Sequence, residues 1–244
     1  MPPADALVLC CVVVVFAGVQ SVFGVGLLVF GTPTLLLFGF PFEQVLAYLL
    51  PCSIVISLLQ VLSGGGFTLE PIRKGFLLFT APAVVAGTLL VLLYGAKLDL
   101  RAVVGLMLLL TALTRVLGPA RDAVGSYIRN HLNPLLAALG FVHGLSNLGG
   151  GMLALVVGSA YQDKRTIRKH IAFGYGLMAS LQLATLFATT PVDLASVWLI
   201  LPVVAALTYH VLGQRLFRAA GQTAYRWGLT ALIAVFGILL IATA

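Results

Sequence analysis

The sequence predicts an all-α integral membrane protein made of two inverted repeats, each a broken, re-entrant helical hairpin followed by three transmembrane helices. Three observations lead there. Of 244 residues, 61% are hydrophobic and only 9% charged, against about 25% charged in an ordinary soluble domain. The apolar residues come in long unbroken runs, whereas an outer-membrane barrel would alternate apolar and polar residues in segments of roughly 10. Finally, a set of glycine, glutamine and proline positions recurs along the chain at a nearly constant offset.

The composition excludes whole classes of function. With 14 Lys/Arg and 7 Asp/Glu, the chain cannot cover a globule of this size with charge, so a soluble enzyme, a disordered chain and a nucleic-acid-binding domain are all disfavoured. The net charge of +7 belongs instead to cytoplasmic loops, and no nucleic-acid partner is expected. The expected partner at this level is the bilayer, with room for a homodimer. Cys10, Cys11 and Cys52 lie inside apolar runs and read as small hydrophobes. Met1-Pro2-Pro3-Ala4-Asp5 lacks the basic start of a cleavable signal, so the first apolar run is expected to remain in the protein.

Charges, prolines and glycine clusters divide the chain into eight apolar segments, roughly 5–38, 43–63, 72–94, 101–118, 132–161, 167–189, 194–213 and 222–243. Six approach the ~20 residues that cross a bilayer. The first and fifth, at 34 and 30 residues, are long for one span and short for two. Each carries a glycine cluster near its middle, Gly24-Val25-Gly26 and Gly149-Gly150-Gly151. Glycine weakens helices through backbone entropy and its freedom of φ, so two half-helices are expected to meet at a glycine tip.

The halves match in order. Gly24-Val25-Gly26 aligns with Gly149-Gly150-Gly151 at an offset of 125, Gln60 with Gln182 and Ser53 with Tyr175 at 122, Pro82 with Pro202 at 120, and Gly105 with Gly228 at 123. This divides the chain into a first membrane repeat (1–118), a basic cytoplasmic linker (119–131) and a second repeat (132–244). Paired membrane halves of this kind characterise secondary transporters. If both broken segments are re-entrant, twelve of the fourteen Lys/Arg fall on one side, leaving Lys97 and Arg101 opposite; if both cross, the split is nine to five. The positive-inside rule favours the first arrangement, with both termini outside and the halves inverted.

Several polar groups stand out in this apolar background. A helix that starts within the membrane offers unpaired N–H groups and a positive dipole end to a small anion. Gln20 and Ser21 precede the first tip; His143, Ser146 and Asn147 precede the second. The competing reading of the glycines is close helix packing. In the spans that follow, Ser53, Ser57 and Gln60 share one helix face, and Tyr175 and Gln182 occupy the matching face, with Ser180 nearby. These groups either line a substrate path or hydrogen-bond to another helix. The candidate binding residues are therefore Gln20, Ser21, Gly24, Gly26, Ser57, Gln60, His143, Ser146, Asn147, Gly149, Gly150, Gly151, Tyr175 and Gln182.

His143 is the histidine well inside an apolar segment; it either donates to an oxyanion and titrates or stays neutral and bonded to backbone. The run from Lys164 to His170 reads as a cytoplasmic anchor whose later members could guard an anion vestibule, and no arginine is expected deep in a span. Glu43 reads as interfacial. A phosphate-binding loop, an H-E-x-x-H motif and a Cys/His cluster are all missing from the sequence, so neither cofactor nor metal is expected. The nearest catalytic pattern, Gly144-Leu145-Ser146-Asn147, is one residue off the G-x-S-G of rhomboid-type proteases, whose serine needs a base supplied by the fold.

The segment from Gly140 to Gly151, GFVHGLSNLGGG, resembles the second-half signature of the TauE/SafE family of sulfite exporters and related small-anion permeases. Gly18 to Gly26 is similar to its first-half counterpart, followed by Gly39 and Pro41 as in that family's G-x-P turn, and Arg168-Lys169-His170 before Ile171-Ala172 resembles the start of the family's next helix. Val25 stands where the pattern has a third glycine, and Gly174-Tyr175 where many members carry Thr or Ser. The resemblance runs end to end. It implies a permease exporting sulfite, thiosulfate or an organosulfonate such as sulfoacetate across a bacterial inner membrane. An anion channel of the same fold is the alternative, and an intramembrane serine hydrolase using Ser146 a more distant one.

Overall fold

A computed structural model of the chain describes residues 3–64, 74–95, 130–161, 163–192 and 196–242, with isolated positions between 106 and 126. The described residues are helical, with no strand among them. In chain order they form α1 (Pro3–Phe23), α2 (Leu27–Leu37), α3 (Phe42–Ser63), α4 (Ala81–Tyr94) preceded by a π-helical turn (Phe76–Thr80), α5 (Leu132–Ser146), α6 (Gly150–Ala160) and α7 (Lys164–Thr189). A short 3₁₀ turn (Ser196–Leu199) then leads into α8 (Leu201–Thr208), a second π-helical turn (Tyr209–Gly213), α9 (Gln214–Ala219) and α10 (Gln222–Ala242). The expected fourth span (101–118), the linker (119–131), Lys97, Arg101 and Gly105 lie largely or wholly outside the described residues.

Among the described residues, four helices are long and apolar enough to cross a membrane: Ala4–Phe23, Phe42–Ser63, Phe76–Tyr94 and Lys164–Thr189. The exposed faces of the bundle are apolar, carrying for example Leu7, Leu62, Leu78, Leu93 and Leu207. The polar side chains Gln20, Ser53, Ser57, Gln60, Asn147 and Gln182 are buried. That inversion of the soluble pattern is what a lipid-facing bundle requires.

Both long segments are broken, as their glycines predict, but not as expected in detail. In the first, α1 has 21 residues and α2 has 11, so the arms are unequal. α2 folds back along α1: the rings of Phe16 and Phe30 lie 6.0 Å apart, and a Cβ on Gly31 would sit 3.6 Å from Val12. In the second, the break falls at Asn147-Leu148-Gly149, while Gly150 and Gly151 already belong to α6. Asn147 rather than a glycine takes the left-handed conformation there, φ 64°, which Asn tolerates better than other residues carrying a Cβ.

The seventh segment also differs from expectation. Instead of ending at 213, its helix continues through α9 to Ala219, a polar-faced extension that carries Arg215 and Arg218 past the apolar run.

Helix packing sets relative directions. α3 and α7 run antiparallel, with Gly176 against Ser57 near the middle and Gly64 against Lys169 at one end. α4 and α5 run parallel and approach to backbone contact. A Cβ on Gly140 would lie 2.5 Å from the Thr80 carbonyl, and Cβ atoms on Gly87 and Gly144 would fall on the carbonyls of Phe141 and Val84. Gly140 and Gly144 thus serve close packing, the competing reading of glycine in a membrane. One side-chain donor explains a tryptophan. Pro51 inside α3 has no N–H for the carbonyl of Ala47 four residues back, and Trp198 Nε1 donates to that carbonyl at 2.8 Å.

Candidate functional site between the two breaks

A helix that stops inside the protein leaves four carbonyls without partners, and burying an unpaired carbonyl costs about 1–3 kcal/mol. At the end of α1 these carbonyls are met by long polar side chains. Gln60 Nε2 donates to the carbonyls of Gln20 (2.8 Å) and Ser21 (3.0 Å). Arg168 Nη1 donates to the Ser21 carbonyl at 3.1 Å, and the Tyr225 hydroxyl donates to that of Phe23 at 3.0 Å. At the end of α5, Gln182 Nε2 donates to the carbonyls of His143 and Gly144, each at 3.3 Å. The backbone turns alike at both ends: the Gly24 N–H reaches the Gln20 carbonyl at 2.8 Å, and the Asn147 N–H reaches that of His143 at 2.7 Å.

Both partners of Gln60 are carbonyls, so its NH₂ must face them and its Oε1 points away; the same holds for Gln182. Those two oxygens, Gln20 Oε1 and Asn147 Oδ1 have no hydrogen-bond partner among the described residues. Gln20 spends its NH₂ on Ser53 (carbonyl 3.1 Å, hydroxyl 3.0 Å) and on the Ser57 hydroxyl at 3.2 Å.

The two breaks touch. Asn147 Nδ2 donates to Thr32 Oγ1 on α2 at 2.7 Å. A Cβ on Gly150 would lie 2.6 Å from Val29, 3.0 Å from the Tyr175 ring and 3.1 Å from Val25, so only glycine allows α6 to start this close to α2. Tyr175 lies between them and its hydroxyl accepts the Val29 N–H at 3.1 Å, occupying the first turn of α2. Gly26 is equally tight: a Cβ there would lie 2.7 Å from the Gln20 nitrogen.

At the start of α6 the N-cap residue is Gly149, which has no side chain with which to cap the helix. Beside it stands His143, fully buried, with neither ring nitrogen hydrogen-bonded among the described residues. Its ring meets Tyr175 edge-on at 5.7 Å, and a Cβ on Gly149 would lie 2.7 Å from its own Cβ. Two ring nitrogens and the N–H groups of an uncapped helix start are therefore held in one buried place, with no carboxylate beside them among the described residues. Helix dipole and donors there favour a small anion.

The expected residues divide accordingly. His143, Asn147, Gly149, Gly150 and Tyr175 converge on the α6 start, and Gly151 is buried in its first turn. Gln20, Ser57, Gln60 and Gln182 brace helices through carbonyl and hydroxyl contacts, and Gly24 and Gly26 shape the first tip. Ser21 and Ser146 turn their hydroxyls onto their own helices, donating to the carbonyls of Ala17 and Val142, each at 2.6 Å. Arg168, near the start of α7, is 6% exposed and reaches the Ser21 carbonyl at the first break. Sequence reading missed Thr32 and Tyr225. Thr32, one of two hydroxyls with Thr34 in an apolar stretch, carried some signal; Tyr225 carried none.

The family model described as "Sulfite exporter TauE/SafE" matches residues 9–240. No curated protein and no solved structure matches.

Proposed function

This chain belongs to the TauE/SafE sulfite exporter family, multi-pass membrane transporters and not enzymes, and from that premise we propose that it is a secondary transporter exporting sulfite or a small organosulfonate such as sulfoacetate. The single observation that carries the site is His143, buried with both ring nitrogens unpartnered beside the uncapped start of α6. A pyramidal sulfur oxyanion accepts from several donors at once. His143 and the first N–H groups of α6 supply them without a fixed counter-charge, so the anion is bound but can be released.

The moving parts in this reading are two inverted halves, with alternating access arising as one rocks against the other. Three features support inversion. α3 and α7, which occupy matching places in the sequence, run antiparallel. The glutamine of each clamps the end of the preceding broken helix. The basic loops also gather on one side when both hairpins are re-entrant, which puts them in the cytoplasm and both termini in the periplasm of an inner-membrane protein.

The test is efflux of sulfite and sulfoacetate from proteoliposomes. Flux that saturates with substrate supports the transporter; flux that stays proportional to concentration and carries current identifies an anion channel instead. Cysteines placed at 39–42 and 161–166 should label from opposite sides of the membrane. Labelling from the same side would exclude the inverted topology.

A further inference from the structure

Arg168 combines three properties that the bracing of α1 does not explain. It is 6% exposed, yet among the described residues the acceptor it meets is the Ser21 carbonyl, one oxygen for five N–H donors. Its guanidinium carbon lies over the Phe217 ring, 3.5 Å from the centroid. The Lys164 ammonium approaches the same ring at 4.8 Å and donates to the carbonyls of Phe217 and Ala220. Arg165 and Arg218 add positive potential nearby. Asp163, the acidic residue next in sequence, gives its carboxylate to the Thr166 N–H and hydroxyl at 2.8 and 3.0 Å.

A buried guanidinium without a carboxylate is costly unless an anion or dense hydrogen bonding compensates it. One carbonyl does not suffice. A planar guanidinium fork suits a tetrahedral or pyramidal oxyanion, which it binds through two parallel N–H bonds. Position adds to this. The Arg168 carbonyl would lie 3.3 Å from a Cβ on Gly24, so the guanidinium stands between the basic end of the bundle and the first break.

We propose that Arg168 and Lys164, stacked on Phe217, form a second oxyanion subsite at the basic end, distinct from the α6 start and on the way to it. As a transport subsite it rests on the function proposed above; as a binding site it does not. The occupant is a free sulfur oxyanion entering the protein, or the phosphate of an anionic lipid with the same chemistry.

The test uses the full-length protein in detergent, its thermal midpoint followed against sulfite, with chloride at equal ionic strength as control, and separately against phosphatidylglycerol. Wild type should be stabilised by sulfite at concentrations where chloride has no effect, with Arg168→Gln needing about tenfold more for the same shift. Arg168→Lys, which keeps the charge but loses the fork, should fall between them. Stabilisation by phosphatidylglycerol alone, lost in Arg168→Gln, assigns the same subsite to a lipid phosphate. An identical sulfite and lipid response in wild type, Arg168→Lys and Lys164→Gln overturns the proposal. In proteoliposomes Arg168→Lys should raise KM more than it lowers kcat. Absence of sulfite flux in wild type would defeat the transport reading while leaving the binding result to stand.

Discussion

Gly24 and Asn147, 123 positions apart, play the same part at the two tips. Each takes a left-handed conformation, φ 82° and 64°, and each returns its N–H to the carbonyl four residues back, the simple left-handed helix ending. Gly24→Ala should therefore destabilise twice over. It puts a Cβ at positive φ, costing about 1–2 kcal/mol, and 2.9 Å from Ile171. Asn147→Gly keeps the turn but loses the bond to Thr32, so its loss should be smaller than that of Asn147→Val. Thermal unfolding of the three variants in detergent gives this order.

Trp198→Phe tests the proline in α3. The ring is kept, and what disappears is the donor to the Ala47 carbonyl that Pro51 leaves unpaired. The expected loss is about 1–3 kcal/mol. Pro51→Ala in the same background should recover part of it, because the helix then supplies its own N–H. A double-mutant cycle on thermal midpoints measures the coupling.

The packing glycines separate cleanly by position. Gly144→Ala drives a methyl onto the Val84 carbonyl, and Gly140→Ala onto Thr80 at 2.5 Å; neither backbone can yield cheaply, and each should cost about 1–3 kcal/mol. Gly158→Ala, with nothing within 4 Å, should be neutral or gain about 0.5–1 kcal/mol from helix propensity. Chemical unfolding of all three in the same detergent compares them directly.

At the basic end, the Thr166 N–H holds the Asp163 carboxyl below its ordinary range, as expected of a helix N-cap. A depressed folded pKa contributes stability above the unfolded value, about 3.9, and loses it as pH falls through the folded one. Asp163→Ala should lower stability by about 1 kcal/mol at pH 7, and the gap to wild type should narrow at pH 3. Asp163→Asn should retain most of the cap at both. Melting curves at the two pH values decide it.

The broken segments, the span-like helices and the buried glutamines were legible because each follows from one local rule: glycine breaks helices, apolar runs cross lipid, and amides avoid it. The exact register was not. Aligning glycine to glycine pairs Gly24 with Gly149, whereas the backbone pairs Gly24 with Asn147, since asparagine can do glycine's work in that conformation. The glutamines were legible as interior but not as clamps, because a carbonyl freed at a helix end leaves no mark in the sequence. For the same reason Tyr225, which meets the Phe23 carbonyl, and the buried reach of Arg168 appear only once helices far apart in the chain are packed together.

The central claim is that an oxyanion is held where His143 faces the start of α6. Initial rates of sulfite efflux from proteoliposomes, for wild type and for His143→Gln and His143→Ala matched for amount inserted and for melting temperature, test it most directly. The account predicts saturable wild-type efflux, a partial loss in His143→Gln, which keeps an N–H donor, and a loss of about tenfold or more in His143→Ala. Efflux in His143→Ala that equals wild type in both KM and maximal rate would contradict it.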